Sequence, residues 1–261
     1  MQQLTDSEKA RFQRNLLLPN FGEEGQVKLR DSKVLVVGAG GLGSPAAFYL
    51  TAAGVGHIGI MDYDVVDLSN LQRQILHTTN DIGRQKTQSA HEKLQALNPD
   101  AQIRVYPFAL TPQNALDIIS DYDFVVDATD NLDAKFLIND ACVLAAKPFA
   151  HGGILAFEGQ AMTYVPGHAC LRCLYGQKPE KGTYQTTAQV GVLGSIAGNI
   201  GTIQATEAVK YLTGVGELLT DKFLRFDGFT LSFFKMNIRH SAHCPVCGDA
   251  PTIKSLTDSH P

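Results

Sequence analysis

The stretch KVLVVGAGGLG, residues 33–43, decides the fold. Its first five residues form a valine-rich apolar run, which is typical of a strand that is buried on both faces of a parallel sheet. The glycines that follow let the backbone turn tightly and let its N–H groups approach a phosphate at the start of the next helix. The stretch therefore predicts a strand, a turn and a helix, with Gly38, Gly40, Gly41 and Gly43 as nucleotide-binding residues.

Strand and helix patterns alternate on the C-terminal side of this stretch. The predicted strands cover 57–61, 101–106 and 123–127, and the predicted helices cover about 42–53, 84–97, 112–120 and 131–146. Such alternation indicates an α/β fold of Rossmann type, with a doubly wound, mostly parallel sheet and helices on both faces. Before it, Thr5 followed by Glu8 forms a capping-box pattern that predicts a short helix.

The pattern changes after Pro148. Two extended segments over 148–165 are typical of a hairpin, and two more strands are expected at 223–226 and 230–236, which together predict an antiparallel C-terminal extension. Between them lie a polar loop over 174–189 and a long helix over 190–212. No repeat or low-complexity linker interrupts the chain, so we expect one domain over 1–261, divided into a nucleotide-binding part (about 30–150), a second part (151–250) and a tail (251–261).

Glycines at positions 191, 194, 198 and 201 recur every three or four residues along the long helix. This spacing puts small residues along one side, where another element can approach closely. Core packing and a contact between two copies of the chain both fit the pattern.

The bulk composition is that of an ordinary globular protein. Apolar residues make up 44% and charged residues 18% of the 261 residues, which argues against disorder. The formal charge of −4 gives no reason to expect nucleic acid or an anionic membrane as a partner. The first 14 residues lack the apolar core of a signal peptide, and polar residues interrupt the helix over 190–212, so we expect a cytoplasmic protein with no membrane-spanning segment.

An acidic residue ends the second predicted strand. Asp62 stands 19 residues beyond Gly43, where a carboxylate can accept hydrogen bonds from ribose hydroxyls. This feature fits an NAD enzyme as well as an ATP enzyme. It identifies a nucleotide and leaves the reaction open.

The segment after that acid favours ATP. It carries Asp64, Ser69, Asn70 and Arg73, and Lys86 follows at the start of the next helix. Cations so close to a ribose-binding acid suit a triphosphate, because the charge on the phosphates must be neutralised while one of them is attacked. The alternative is that the two cations are solvated helix charges.

An aspartate and an asparagine follow the strand over 123–127. Carboxyl ends of parallel strands are where ligands bind in open α/β sheets, so Asp130 is placed to hold Mg²⁺ on the phosphates. Asn131 suits both a contact to the nucleotide and the N-cap of the next helix.

Two Cys-x-x-Cys pairs lie far apart in the chain: Cys170 with Cys173, and Cys244 with Cys247. Four thiolates can close a tetrahedral Zn²⁺ site, and a site with no open position is structural. Such a metal would join the C-terminal tail to the region after the hairpin. Redox pairs and buried cysteines are the alternatives.

These motifs together resemble the ThiF/MoeB/HesA family, the bacterial relatives of ubiquitin-activating enzymes. The resemblance rests on GxGGLG, SNLQRQ, GRQK, DATDN and the paired CxxC motifs, in that order, and extends from about Arg11 to Gly248. It implies that Asp62 holds the ribose, Arg73 and Lys86 hold the phosphates, and Asp130 holds magnesium. It also implies a homodimer in which Arg14 reaches the ATP site of the partner subunit.

The resemblance further implies the reaction. The enzyme would use ATP to adenylate the C-terminal glycine carboxylate of a small ubiquitin-like sulfur-carrier protein (ThiS- or MoaD-like) ending in Gly-Gly, with 151–250 as the carrier-binding and zinc part. Sulfur would go to thiamine or a molybdopterin-type cofactor, and a separate protein would donate it, because no rhodanese-like segment follows in the sequence. Alternatives are adenylation of a short peptide, a non-catalytic scaffold, and a dehydrogenase.

One departure from the family concerns cysteine. Some members carry a further cysteine after the first CxxC pair and use it to attach to the carrier. Here the corresponding loop contains Tyr184 and no cysteine. Cys142 falls in an apolar helical run, where a buried side chain is expected. We therefore expect no covalent capture of the carrier.

Overall fold

The computed structural model describes residues 3–180, 182–258 and 260. Its centre is an eight-stranded sheet in the order β3-β2-β1-β4-β5-β6-β7-β8. Strands β1 to β5 pair in parallel, and β6 to β8 continue the sheet antiparallel. The strands are β1 (Lys33–Val37), β2 (His57–Met61), β3 (Gln102–Tyr106), β4 (Phe124–Asp127), β5 (Phe149–Leu155), β6 (Glu158–Tyr164), β7 (Lys222–Asp227) and β8 (Ser232–Asn237). The predicted fold class is confirmed.

Helices cover both faces of the sheet and give it two cores. One core packs α3, α4, α5 and α10 against one face, and the other packs α6, α7 and α8 against the opposite face. Along β1, Val34 and Val36 enter the first core whereas Leu35 and Val37 enter the second. The helices are α1 (Asp6–Arg11), α2 (Gln13–Leu16), α3 (Gly22–Asp31), α4 (Gly43–Ala53), α5 (Lys86–Leu97), α6 (Ala115–Ser120), α7 (Leu132–Leu144), α8 (Leu171–Tyr175), α9 (Thr187–Val190) and α10 (Gly194–Thr213).

The turn between β1 and α4 requires glycine at its two ends. Gly38 has a φ of +100°, a left-handed conformation that side chains disfavour. A Cβ on Gly43 would lie 1.8 Å from the Gly38 carbonyl oxygen, inside the backbone of the turn itself. The loop can therefore close onto the first turn of α4 only with these two glycines.

The second half differs in detail from the sequence prediction. The hairpin of β5 and β6 is confirmed, but the polar loop is shorter than predicted, because α8 and α9 occupy its two ends. The long helix begins at Gly194 rather than at residue 190. The reason is Gly191, which ends α9 with a φ of +77° and turns the chain.

The glycines of α10 lie in two different environments. A Cβ on Gly194 or Gly201 would meet backbone oxygen atoms of Gln72 or Leu42 at 2.4 and 2.3 Å. A Cβ on Gly198 would meet no described atom within 4 Å. Core packing therefore explains the first two glycines. Across the described part of the chain, no helix is long and apolar enough to cross a membrane.

Candidate nucleotide site and cysteine cluster

A cleft of about 460 Å³ opens at the carboxyl ends of β1, β2 and β4, where open parallel sheets bind their ligands. The structure brings most of the predicted nucleotide-binding residues to this cleft. Those that line it are Gly38, Gly40, Gly41, Asp62, Asp64, Arg73, Lys86, Asp130 and Asn131. Gly43, the first residue of α4, does not line the cleft, and neither do Ser69 and Asn70.

The glycine-rich loop is held by the chain's own groups. Asp62 Oδ2 accepts a hydrogen bond from the Ala39 amide at 2.8 Å, and the Ser44 hydroxyl donates to the Gly40 carbonyl at 2.7 Å. Among the described residues, no acceptor takes the amide hydrogens of Gly40 and Gly41. The loop is therefore fixed while two N–H groups remain available to an anion in the cleft.

Lys86, Asp62 and Asp64 form a polar cluster next to the glycine-rich loop. Lys86 stands at the start of α5, is 5% exposed, and its Nζ lies 2.9 Å from Asp64 Oδ2. Burial raises the pKa of Asp62 and outweighs the opposing effects of Lys86 and of two backbone N–H groups. Lys86 is therefore a buried cation of the cleft rather than a solvated helix charge.

Arg73 reaches the cleft from the turn that contains Ser69 and Asn70. Its guanidinium donates to the Ser69 carbonyl at 3.0 Å, and it is half-buried. Asp67 caps this turn by accepting from the Ser69 amide and hydroxyl, while the Asn70 side chain accepts from the Asp67 amide. Ser69 and Asn70 thus shape the support of Arg73, and their contact to a nucleotide stays a prediction.

Asp130 and Asn131 divide two tasks between them. The Asn131 side chain caps α7 by accepting a hydrogen bond from the Ala134 amide at 2.9 Å. Asp130 is exposed in the cleft, and within the described ranges its carboxylate makes no hydrogen bond or ion pair. A carboxylate without a partner, next to the cations and loop amides of the cleft, suits Mg²⁺, which prefers oxygen ligands.

Sequence analysis missed a buried ionic network under the cleft. Asp127, at the end of β4, is fully buried, and its carboxylate lies 3.2 Å from Lys135 Nζ and 2.8 Å from His151 Nδ1. Burial opposes the charge of Asp127, but Lys135 and His151 outweigh it and lower its pKa to about 2. Burial also lowers the pKa of His151. The sequence signal for this network was that Lys135 and His151 each stand alone as a polar residue in an apolar run.

The network continues to the wall of the cleft. The neutral ring of His151 donates a hydrogen bond from its Nδ1–H group to Asp127. Its Nε2 atom therefore accepts a hydrogen bond from the side-chain amide of Gln160, at 3.2 Å. The Tyr175 hydroxyl in turn donates to Gln160 Oε1 at 3.2 Å. The chain of bonds fixes the orientation of Gln160, which lines the cleft.

Gln74 is a second cleft residue that sequence analysis missed. It is 5% exposed, and no described residue bonds its Oε1 atom. A buried acceptor without a partner is unfavourable, so an atom of a ligand or a water is expected to complete it. This orphan acceptor lines the same cleft as the glycine-rich loop.

Arg14 does not reach the cleft of its own chain. It is exposed on α2, and it is absent from the residues that line the cleft. Its predicted contact with the site of a second subunit stays a prediction.

The four predicted metal ligands meet at one point. The Sγ atoms of Cys170, Cys173, Cys244 and Cys247 all lie within 4.8 Å of one another. The closer pairs of Sγ atoms lie 3.4 to 4.0 Å apart, whereas the two sulfur atoms of a disulfide bond lie about 2.0 Å apart. Tetrahedral Zn²⁺ with bonds of about 2.3 Å would separate its sulfur ligands by about 3.8 Å. The donor set and its spacing fit zinc.

Helix α8, which carries Cys173, is anchored to the rest of the fold. Arg172 donates two hydrogen bonds, of 2.6 and 2.7 Å, to the buried carboxylate of Asp140 on α7. Asp221, just before β7, accepts from the Ala169 amide at 2.8 Å. The first cysteine pair is thus held in place by the sheet and α7, and the second pair comes to it from the C-terminal tail.

Comparisons with known proteins agree with this geometry. The sulfur carrier protein adenylyltransferase of Thermus thermophilus is 44% identical over 260 residues, which are 97% of this chain and 96% of the relative. The adenylyltransferase and sulfurtransferase MOCS3 of Culex quinquefasciatus is 45% identical over 98% of this chain, which spans only 59% of that longer protein. A crystal structure of Escherichia coli MccB with MccA-N7isoASN superimposes with a TM-score of 0.82 at 22% identity, over 91% of this chain and 74% of that one.

The parallel sheet, the glycine-rich loop and the charged cleft define a nucleotide-binding enzyme of Rossmann type. The chain belongs to the ThiF family, whose model matches residues 12–246. It is a nucleotidyltransferase of the adenylyltransferase class, as its relatives are named.

Proposed function

We propose that this enzyme uses ATP to adenylate the C-terminal glycine carboxylate of a small ubiquitin-like sulfur-carrier protein. The observation that carries the proposal is the set of charges around the glycine-rich loop. Two cations, Arg73 and Lys86, line the same cleft as Asp130 and the amides of Gly40 and Gly41. In the part of the chain that the structure describes, the Asp130 carboxylate has no partner and the two amides have no acceptor. Such a set suits a magnesium triphosphate better than a nicotinamide dinucleotide.

The reaction requires little covalent chemistry from the protein. A carboxylate oxygen of the carrier attacks the α-phosphorus of ATP, the bond to the bridging oxygen breaks, and pyrophosphate leaves with the electron pair. An acyl-adenylate remains. Arg73, Lys86 and the loop amides stabilise the charge that develops on the phosphates, and Asp62 holds the ribose, while Asp130 would hold Mg²⁺, which neutralises phosphate charge when bound.

The cysteine cluster takes a structural role in this proposal. Four thiolates leave no open position for a substrate on zinc, so the metal stabilises the fold and takes no part in the reaction. It would fix the C-terminal tail to α8, whose last residue, Tyr175, lines the cleft.

Partners follow from the same proposal. We place the carrier on the part of the chain over 151–250, with its Gly-Gly end entering the cleft, and we expect a cytoplasmic homodimer in which Arg14 completes the partner's site. The sulfur donor is a separate protein, and the product serves thiamine or molybdopterin-type cofactor synthesis. In support, the Thermus relative, which this chain covers over 96% of its length, is named for adenylation alone.

The test is ATP–pyrophosphate exchange with purified candidate carriers. We expect exchange with a ubiquitin-like carrier that ends in Gly-Gly, and none with the same carrier after deletion of its last glycine. Exchange with a short free peptide but with no carrier would instead support the peptide alternative. ATP binding without exchange toward any carrier or peptide would support a non-catalytic scaffold.

A further inference from the structure

His77 is a buried histidine for which the proposed mechanism has no role. It is 4% exposed and follows the turn that carries Arg73. Both of its ring nitrogens are bonded: Nε2 lies 2.9 Å from the Ala39 carbonyl oxygen, and Nδ1 lies 2.9 Å from Ser89 Oγ. The first of these partners belongs to the glycine-rich loop.

The direction of these hydrogen bonds follows from the chemistry of the partners. A carbonyl oxygen only accepts, so the Nε2 atom of His77 carries the proton. Burial lowers the pKa of His77, and Lys93 and Lys86 lower it further against the opposing effects of Ala39 and Asp81. The ring is therefore neutral, and its Nδ1 accepts the hydroxyl proton of Ser89.

The hydrogen-bond chain to His77 begins at an ion pair between Lys93, which is half-buried on α5, and Asp81, which is buried and precedes α5. Lys93 Nζ lies 2.6 Å from Asp81 Oδ2 and donates to Ser89 Oγ at 2.8 Å. Ser89 and Lys93 stand four residues apart, on one side of the helix. Because the Lys93 ammonium only donates, it leaves the Ser89 hydroxyl free to donate to His77. The ion pair thus favours the same tautomer of His77 that the Ala39 carbonyl requires.

The Ala39 carbonyl matters because of the peptide group that it shares with Gly40. A trans peptide is planar, so its N–H points opposite to its C=O. When His77 holds the Ala39 carbonyl on one side, the Gly40 amide is turned to the other side. That amide has no acceptor among the described residues, and Gly40 lines the cleft.

We propose that His77 is a positioning residue, which holds the Ala39 carbonyl and thereby directs the Gly40 N–H group toward the phosphates of the bound nucleotide. Asp62 fixes the preceding amide, that of Ala39, so the loop is held from both sides. This inference rests on ATP binding by the proposed function and adds a residue that does not itself touch the ligand.

Two substitutions of similar shape test the proposal. Glutamine places its amide nitrogen near the position of Nε2, so His77→Gln keeps a donor for Ala39. Asparagine reaches only to the position of Nδ1, so His77→Asn loses that donor. We expect His77→Asn to weaken magnesium-ATP binding about tenfold and His77→Gln to weaken it about twofold, which is the range of one hydrogen bond.

Calorimetric titration with magnesium-ATP and with adenosine separates positioning from a general loss of structure. Adenosine has no phosphate, so its affinity should be the same for the wild type and both variants, and the two variants should unfold at the same temperature. The proposal is overturned if His77→Asn binds ATP as the wild type does, if both variants weaken ATP equally, or if adenosine binding falls in parallel.

A third variant covers failure of either His77 substitution to fold. Ser89→Ala removes the donor that favours the His77 tautomer with its proton on Nε2, and we expect ATP binding about threefold weaker with adenosine binding unchanged. Unchanged ATP affinity in Ser89→Ala would then overturn the proposal. A wild-type protein that binds adenosine but shows no gain in affinity from the triphosphate would overturn the proposed function as well.

Discussion

The glycine-rich loop and the cysteine cluster are both polar turns next to a buried core, but they differ in what the chain itself supplies. At the loop, Asp62, Ser44 and His77 already hold the Ala39 and Gly40 peptide groups at 2.7 to 2.9 Å. At the cluster, four thiols face one another at 3.4 to 4.0 Å, and their best additional ligand is a metal ion. The first region is organised by the chain's own groups, whereas we expect the second to depend on a metal ion for its cohesion.

We expect the largest effect on stability at the cysteine cluster. Cys244→Ser should release one zinc ion per chain and lower the free energy of unfolding by about 4 kcal/mol or more, because structural zinc contributes directly to folding. Metal analysis and thermal unfolding of protein prepared under reducing, chelator-free conditions measure this. Cys142→Ala is the control and should keep the metal. If the wild-type protein contains no zinc, the cysteine cluster does not depend on a metal ion, and the proposed difference between the cluster and the glycine-rich loop is wrong.

The ionic network under the loop gives the next largest effect. Lys135→Met should lower the free energy of unfolding by about 3 kcal/mol at pH 7, because it leaves the buried Asp127 charge without its cation. In the wild type, the pKa of Asp127 is about 2, so its stabilising contribution is present above its unfolded value of about 3.9 and is lost as the pH falls toward 2. In the variant, burial raises that pKa, so protonation relieves the buried charge. The deficit should therefore shrink between pH 7 and pH 4, and a deficit independent of pH would contradict this explanation.

Arg73→Ala and Lys86→Ala should each lower adenylation by a factor on the order of 10² or more, as expected when a charge contact in the transition state is lost. Folding should be retained, because neither side chain belongs to the apolar cores. Pyrophosphate exchange measures the effect. Lys28→Ala, which removes an exposed pair with Glu24 away from the cleft, is the matched control. Near-normal exchange in both cleft variants would mean that the active site lies elsewhere.

Two glycines of the same loop should respond differently to a methyl group. In Gly40→Ala the new Cβ would meet only Gln74 side-chain atoms, at 3.5 Å or more, so the protein should fold and bind ATP about tenfold more weakly because the methyl group obstructs the ligand. In Gly43→Ala the Cβ would enter the backbone at 1.8 Å, so folding itself should suffer. Chemical denaturation and ATP titration of the two variants distinguish a residue needed by the ligand from one needed by the fold.

The smallest expected effect concerns Cys142. Burial raises the pKa of this thiol well above its usual range, and the side chain is fully buried. The other four cysteines are the expected zinc ligands, and zinc-bound or buried thiols are poor nucleophiles toward an acyl-adenylate. Cys142→Ala should therefore adenylate normally, and mass spectrometry after incubation with ATP and carrier should find no thioester or disulfide adduct. A carrier adduct on any cysteine of this chain would show that the enzyme also takes part in sulfur transfer.

The parallel half of the fold could be predicted because its central strands β1, β2 and β4 are buried on both faces and form apolar runs in the sequence. The motif residues could be placed at one edge because parallel strands end there, and Asp62, Arg73, Lys86 and Asp130 do line one cleft. Their contacts with a nucleotide stay predictions.

Other parts could not be predicted because they depend on tertiary pairing. Lys135 and His151 look misplaced in apolar segments until Asp127 is brought beside them, and nothing local to His77 indicates its bond to Ala39. The start of α10 was placed four residues too early, since Gly191 fits a helical glycine pattern as well as the turn that it forms. A periodic pattern fixes the face of a helix better than its first residue.

The strand order has a consequence for the course of folding. Strand β1 pairs with β4 in the register Val34↔Phe124, so the centre of the sheet closes only after about 90 intervening residues have been made. Contacts of such long range make folding slow, on the order of milliseconds to seconds. During synthesis the residues of the five parallel strands are made before those of β6 to β8, because β5 ends at Leu155. Cys244 lies 74 residues beyond Cys170, so metal capture would come only after the parallel half of the sheet has been synthesised.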